Sequence, residues 1–307
     1  MVILRRLQSY GELIRFSHTI FALPFALLAS WWAWIVPSPL DGSSMVFRVQ
    51  DLIGILLCMV TARSFAMAVN RLLDEKYDAE NPRTAGRHLP AGLLGRKEVG
   101  VFIAACAVAF VASTLMFLPN RLPLLFSMPV LLFLGGYSLG KRFTWLVHLW
   151  LGAALMLAPI CAWLAIRGSV VSVQGTDLLP AVSLGVCVCL WVTGFDILYA
   201  CQDFGFDRSR GLYSIPARFG VRGGLHIAKA LHAAMLVLAF GLSFWFPQLS
   251  LGWIYRLTLV GVAFLLGWEH ASVSESSLDR MQLAFFQLNA VISVLFLVAG
   301  GIDAWLR

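Results

Sequence analysis

The sequence predicts an all-α polytopic membrane protein of nine transmembrane helices around a central cavity, with cytoplasmic loops forming a cap. Three observations carry that prediction. Hydrophobic residues make up 60% of the 307 positions against 13% charged, with a mean hydropathy of +0.82, far outside the range of soluble domains. Apolar stretches of about 18 residues or more, the length needed to cross a bilayer, recur nine times along the chain. Lysine and arginine segregate to alternate connections between those stretches.

The expected spans cover 15–37, 52–72, 97–118, 122–140, 143–166, 180–200, 226–246, 251–269 and 281–305. The first is long and lacks a small-residue cleavage pattern near its end, so it is expected to stay as a span and not to be removed as a signal. The spans leave no room for a soluble domain, and a single transmembrane domain over 1–307 is expected. With the amino terminus cytoplasmic, Arg48, Arg121, Arg167, Arg256 and Arg307 fall outside and Arg63 lies within a span. The other seventeen of the 23 basic residues are then cytoplasmic, which orients the chain and places it in the cell inner membrane.

The net charge of +7 therefore belongs to one membrane face. It suits anionic headgroups or an anionic substrate, and the chain has no soluble basic module for nucleic acid. The six cysteines lie in or beside spans without zinc-type spacing and read as small packing residues. No obligate protein partner is inferred.

Two segments concentrate the acid. NRLLDEKYDAENPRT, Asn70 to Thr84, follows span 2, and DILYACQDFGFD, Asp196 to Asp207, follows span 6; together they hold seven of the sixteen acidic residues. Four spans separate them, so both end on the same face. Asn70, Asp74 and Asp78 stand at i, i+4 and i+8, one stripe of a helix. Asp203 and Asp207 repeat the spacing of four, with Asp196 and Tyr199 deeper on the same side. Hard oxygen donors of this kind suit Mg²⁺, which binds through one or two carboxylates plus substrate phosphates and water. The bland alternative is that these acids form solvated ion pairs with Arg71, Lys76, Arg83, Arg87, Arg208 and Arg210. Two spaced stripes at equivalent helix ends favour the metal, because ionisable groups at membrane depth are costly. Pro82, Pro90 and Gly92 in the first loop, and Gly205, Gly211 and Pro216 in the second, predict that neither loop is one uninterrupted helix.

Mg²⁺ beside several arginine and lysine donors is a pattern for a diphosphate, which held this way is a good leaving group. Arg63 lies two turns before Asn70 and reads as a clamp for an anionic group of a substrate, or as an internal partner for Asp196 or a carbonyl. His18, His148 and Asn289 are either helix-to-helix hydrogen bonds or cavity contacts.

These motifs resemble those of the UbiA superfamily of intramembrane prenyltransferases, and in particular its 4-hydroxybenzoate polyprenyltransferases. NRLLDEKYDAENPRTAGR from Asn70 to Arg87 is similar to the family's first aspartate-rich motif. Asp196, Tyr199, Asp203 and Asp207 match the second. IRFSHTIFALPF in the first span, YSLGKRFT before span 5, the H-x-x-L-G at His148 and FFQLN ending at Asn289 add to the likeness. The resemblance implies that Asn70, Asp74, Asp203 and Asp207 hold Mg²⁺ on an allylic polyprenyl diphosphate, with Asp78 and Asp196 supporting. It implies that Arg15, Lys141, Arg83 and Arg87 lie near the diphosphate and that Arg63 orients an aromatic carboxylate acceptor. Tyr199 and Asn289 join Arg71 as expected substrate contacts. Position 71 is Arg where many members carry an acid, and position 213 is Tyr where many carry a lysine.

The function expected is transfer of the polyprenyl group to a ring carbon of the acceptor, 4-hydroxybenzoate first, with a naphthoate of menaquinone synthesis as the alternative. A cation-coupled transporter is the alternative of another class, but such sites sit near the bilayer midplane with broken helices.

Overall fold

The computed structural model describes residues 10–14, 21–272 and 282–306, of which the secondary structure is helical with no strand among the described residues. Among the described residues from 21 onward the α-helices follow in chain order: α1 Leu23–Ile35, α2 Val49–Glu80, α3 Arg96–Thr114, α4 Leu122–Gly136, α5 Val147–Val173, α6 Leu179–Ala200, α7 Phe204–Ser209, α8 Ile215–Trp245, α9 Trp253–Ser272 and α10 Gln282–Trp305. Among the described residues, seven helical segments are long and apolar enough to cross a membrane. They correspond to expected spans 2 to 7 and 9. The first span is represented by α1, whose 13 residues are short for a bilayer, and its residues 15–20 lie outside the described set. The eighth corresponds to α9, 20 residues long, in which Arg256, Glu269 and His270 dilute the apolar run.

The chain falls into two compact units, one of Met1–Thr19 with Leu52–Leu139 and one of Ile20–Asp51 with Gly140–Arg307. In the first unit α2 runs unbroken for 32 residues, well past the apolar stretch that ends near residue 72. Leu73 to Glu80 are mostly good helix formers, and Pro82, which has no backbone N–H to donate, closes the helix. The loop beyond it turns repeatedly through residues 81–94, as its prolines and glycine predict. Glu98 accepts from the Gly95 N–H at 2.9 Å and so caps the start of α3. Leu13, Ala68, Leu89, Leu94 and Val99 form a buried cluster that holds this loop against α2. On α4, Leu125, Phe126, Met128 and Leu132 are exposed, as side chains facing lipid are.

In the second unit α6 packs against α5 and α8, and α1 packs against α5 and α10. Trp32, Trp163, Trp191, Phe25 and Leu184 are fully buried in the shared core. Glycine lets the helices approach closely. A Cβ on Gly152 of α5 would overlap the Cys189 carbonyl and Thr193 of α6, and one on Gly194 of α6 would overlap the His232 ring of α8. Arg167, at a kink in α5, is wholly buried. It donates to both Asp177 oxygens at 2.8 and 2.6 Å and to the Ala33, Val36 and Pro37 carbonyls at 3.2, 2.7 and 3.4 Å. Its guanidinium thereby satisfies the carbonyls left open at the end of α1. Asp303 of α10 accepts from the Gly252 and Tyr255 N–H groups at 2.8 and 2.7 Å, an acid set at the positive end of α9.

Expected span 7 began at 226, whereas α8 starts at Ile215. Ser214 accepts from the Ala217 N–H at 3.2 Å and Pro216 sits in the first turn, both helix-start signals. The helix breaks at Gly220, with φ 74° and ψ 167°, a conformation open to glycine and strained for other residues.

Candidate functional site

The first unit carries one set of candidate residues on the distal end of α2. Asn70 and Asp74 are half-buried, and the Asn70 amide donates to Asp74 Oδ2 at 2.8 Å. Arg71 turns inward: it is buried and donates to the Asn70 amide oxygen at 3.3 Å and to the Leu13 carbonyl at 3.4 Å. A residue expected to contact diphosphate is thus placed so that it orients the Asn70 amide. Asp78, one turn beyond Asp74, is buried, and both its oxygens accept from Arg87 Nη1, at 2.6 and 2.8 Å. Thr84 Oγ1 donates to the Asp78 carbonyl at 3.0 Å and the Arg83 N–H donates to Asn81 Oδ1 at 3.0 Å. These bonds fold the NPRTAGR loop back onto the helix end. The Asn70, Asp74, Asp78 stripe read from the spacing is present on one continuous helix.

Arg63 lies two turns deeper on α2. Its Nε is buried and has no hydrogen-bond partner. A buried guanidinium N–H left open in this way is costly and is suited to receive an anionic oxygen.

The second unit carries the other set. Asp196 and Tyr199 lie on α6, which stops at Ala200. A tight turn, Cys201–Asp203, holds Asp203, and Asp207 follows on the short helix α7. The even stripe expected from the spacing is therefore broken by the turn, so that Asp203 and Asp207 stand on a separate step from Asp196. Asp207 is almost fully buried, with Lys141 Nζ at 3.2 and 3.4 Å from its oxygens. The Tyr213 N–H donates to the Lys141 carbonyl at 2.8 Å. The chain's tyrosine at 213 thus serves through its backbone, fixing the lysine that neutralises Asp207. Asp196 accepts from His148 Nδ1 at 2.7 Å. Arg218 lies over the Trp145 and Phe219 rings at 5.2 and 5.5 Å, and Arg208 over Phe204 at 6.0 Å. Asn289 donates to Glu269 at 2.9 Å, a helix-to-helix bond between α10 and α9. Arg15 and His18 lie outside the described residues.

Sequence reasoning left the His148 partner open and did not single out Glu269. An acid at the end of an apolar stretch was the signal for Glu269, and the H-x-x-L-G spacing was the signal for His148.

The donor chemistry of both sets fits a hard divalent cation. Each offers oxygen ligands, the donor type that suits Mg²⁺, which fills its remaining positions with phosphate oxygens and water; among the described residues no three His, Cys, Asp or Glu side chains gather as a metal site by themselves. Each set also holds a cation, Arg87 or Lys141, already in contact with an acid.

A polytopic helical chain with two oxygen-rich helix ends, each interlocked with basic side chains, is the class of protein this fold and these sites define. The model of the UbiA prenyltransferase family matches residues 22–291, and the chain belongs to that family. It is an integral membrane enzyme that transfers prenyl groups. A 4-hydroxybenzoate octaprenyltransferase of Klebsiella pneumoniae is 30% identical over 293 residues, covering 95% of each chain. The mitochondrial 4-hydroxybenzoate polyprenyltransferase of Arabidopsis thaliana is 28% identical over 271 residues, 88% of this chain and 62% of that one. Among solved structures, the apo UbiA homolog of Aeropyrum pernix K1 superposes with a TM-score of 0.79 at 32% identity, covering 93% of this chain and 97% of that one. A UbiA homolog of Archaeoglobus fulgidus bound to GPP and Mg²⁺ shares the fold, with a TM-score of 0.68 at 17% identity over 97% of this chain and 99% of that one.

Proposed function

We propose that the protein transfers a polyprenyl group from an allylic polyprenyl diphosphate to a ring carbon of an aromatic carboxylate, with 4-hydroxybenzoate as the acceptor and quinone biosynthesis as the setting. The observation that carries this reading is the paired arrangement of acids and cations. Asp78 with Arg87 and Asp207 with Lys141 supply, at two helix ends, the mixed set of carboxylates and phosphate donors that a metal–diphosphate demands. The names of the relatives, and the GPP and Mg²⁺ bound to the Archaeoglobus homolog, support the donor, the metal and the acceptor.

In this reading Asn70, Asp74, Asp78, Asp203 and Asp207 hold Mg²⁺, which neutralises the charge developing on the departing diphosphate. Lys141, Arg83, Arg87 and Arg15 take diphosphate oxygens, and Arg71 holds the Asn70 amide in place. Arg63 receives the acceptor carboxylate at its open Nε. Tyr199 and Asn289 complete the substrate contacts. The polyprenyl tail stays among lipid-facing side chains, so the reacting carbon alone needs a protected site.

The same reading gives the chain nine membrane spans around a central cavity, with the loops after α2 and α6 as a cap on the cytoplasmic face of the inner membrane. Both units then belong to one prenyltransferase domain over 1–307, as the reach of the family model across both supports. The test is to incubate purified protein with polyprenyl diphosphates of several lengths and a panel of hydroxybenzoates and naphthoates, with and without EDTA. Product masses equal to acceptor plus prenyl group, formed only without EDTA, are expected. Absence of product with every pair, together with cation flux in vesicles, contradicts the reading in favour of transport.

A further inference from the structure

Substitution at an aromatic C–H releases one proton for each carbon–carbon bond formed, and that proton needs an acceptor held in place. The motif acids are poorly suited to the task, because Asp78 and Asp207 are occupied by Arg87 and Lys141 and the others are assigned to the metal. Asp196 is different. It lies on α6 before the turn at Cys201–Asp203, on a deeper step than Asp203 and Asp207, and its hydrogen bond is to an imidazole and not to a lysine or arginine. In the tautomer that carries its proton on Nδ1, His148 donates to Asp196 Oδ2 at 2.7 Å.

The exposures of the two side chains differ in a useful direction. The His148 ring is 1% exposed and the Asp196 side chain 24%, so the ring stands behind the carboxylate and the carboxylate is the accessible member. His148 Nε2 is buried with no hydrogen-bond partner, which leaves the bond to Asp196 as the work of this ring. Its position is fixed from both sides. Thr193 Oγ1 donates to the His148 and Cys189 carbonyls at 3.4 and 2.7 Å. Gly152, one turn on from His148, lets α5 lie directly on α6.

We propose that Asp196 accepts the ring proton during prenyl transfer and that His148 is the residue that positions it. This assignment rests on the prenyl-transfer reading. The C1–O bond of the allylic diphosphate breaks with its electron pair leaving on diphosphate. A π pair of the acceptor ring forms the new bond to C1. The ring C–H bond then returns its pair to the ring, and its proton passes to the Asp196 carboxylate. The products are the prenylated acceptor and diphosphate, and Asp196 gives its proton to water when they leave. A hydrogen bond from His148 fixes one oxygen and directs the carboxylate.

The experiment uses the full-length protein with geranyl diphosphate, Mg²⁺ and 4-hydroxybenzoate carrying hydrogen or deuterium at the ring positions beside the hydroxyl. Two quantities are read: diphosphate released without acceptor, which reports ionisation alone, and transfer with its isotope effect. Asp196→Asn is expected to keep acceptor-free diphosphate release, to lose transfer by roughly 100-fold and to gain a primary deuterium isotope effect absent from the wild type. His148→Asn, which keeps an amide N–H near the Nδ1 position, is expected to transfer close to the wild-type rate. His148→Leu is expected to fall by about 10-fold and to show the isotope effect, since an unpositioned base acts less efficiently. Unchanged transfer by Asp196→Asn overturns the assignment and makes the departing diphosphate the acceptor. Loss of acceptor-free release in Asp196→Asn also overturns it, by showing a role in ionisation or folding. A wild type that prenylates no acceptor overturns the prenyl-transfer reading and the proton assignment together, whereas the variant results bear on Asp196 and His148 alone.

Discussion

Lys141 Nζ lies 3.2 Å from Asp207 Oδ2, and the Tyr213 N–H holds the lysine's own carbonyl at 2.8 Å. In the proposed function Lys141 takes diphosphate and Asp207 the metal, so the ion pair is what each ligand would have to open. Lys141→Gln removes the phosphate donor and frees the acid. Loss of one charged hydrogen bond is worth about 1.5–3 kcal/mol, so affinity for inorganic diphosphate in the presence of Mg²⁺ is expected to fall by about 10- to 100-fold. Affinity for Mn²⁺ alone is expected to hold or rise. Calorimetric titration of each ligand checks both.

Arg63 presents a buried Nε with no partner. Arg63→Met is expected to raise KM for a carboxylated acceptor by about 10-fold or more while leaving KM for the prenyl diphosphate within about 2-fold, the signature of a lost charged contact to one substrate. Steady-state kinetics with each substrate varied in turn distinguishes this from a general loss of activity.

Arg167 and Asp177 are a stability prediction and not a catalytic one. Removing one partner of a buried ion pair strands the other, at a cost of about 3–5 kcal/mol. Arg167→Ala is expected to lower the thermal midpoint in detergent sharply, and Arg167→Lys to recover it in part, because an ammonium cannot span Asp177 and three carbonyls as the planar guanidinium does. Diphosphate affinity of whatever fraction remains folded is expected to stay unchanged.

Gly152→Ala places a methyl group on the Cys189 carbonyl, whereas a Cβ on Gly261 of α9 meets nothing within 4 Å. The first substitution is expected to cost about 1–3 kcal/mol by overpacking, and Gly261→Ala to be neutral or slightly stabilising. Thermal unfolding of the two variants side by side provides the measurement.

The helical class, seven of the expected spans and the two acid-bearing helix ends were legible in the sequence because they rest on local signals, hydropathy and a spacing of four. The Asn70, Asp74, Asp78 stripe is an instance: α2 continues past the apolar run and carries all three residues. The step between Asp196 and Asp207 was not legible, because a 3₁₀ turn over Cys201–Asp203 has no strong residue signature in a run that otherwise reads as helix. The start of α8 was missed for a different reason. Arg218 and Arg222 lower the hydropathy of that stretch, while the helix itself is set by Ser214 and Pro216. The inward turn of Arg71 depends on the Leu13 carbonyl, 58 positions away, and the bond between His148 and Asp196 joins residues 48 apart. Contacts of that kind follow from tertiary packing, which spacing alone does not encode.

The central claim is that acids at both helix ends take part in metal-dependent prenyl transfer, and it is tested most directly by the transfer activity of Asp74→Ala and Asp203→Ala, each at saturating Mg²⁺. Each variant is expected to fold as the wild type does and to lose roughly 100-fold or more of its activity, because in the proposed function each removes an oxygen ligand of the metal that stabilises the leaving diphosphate. Full transfer activity by either variant would contradict the account.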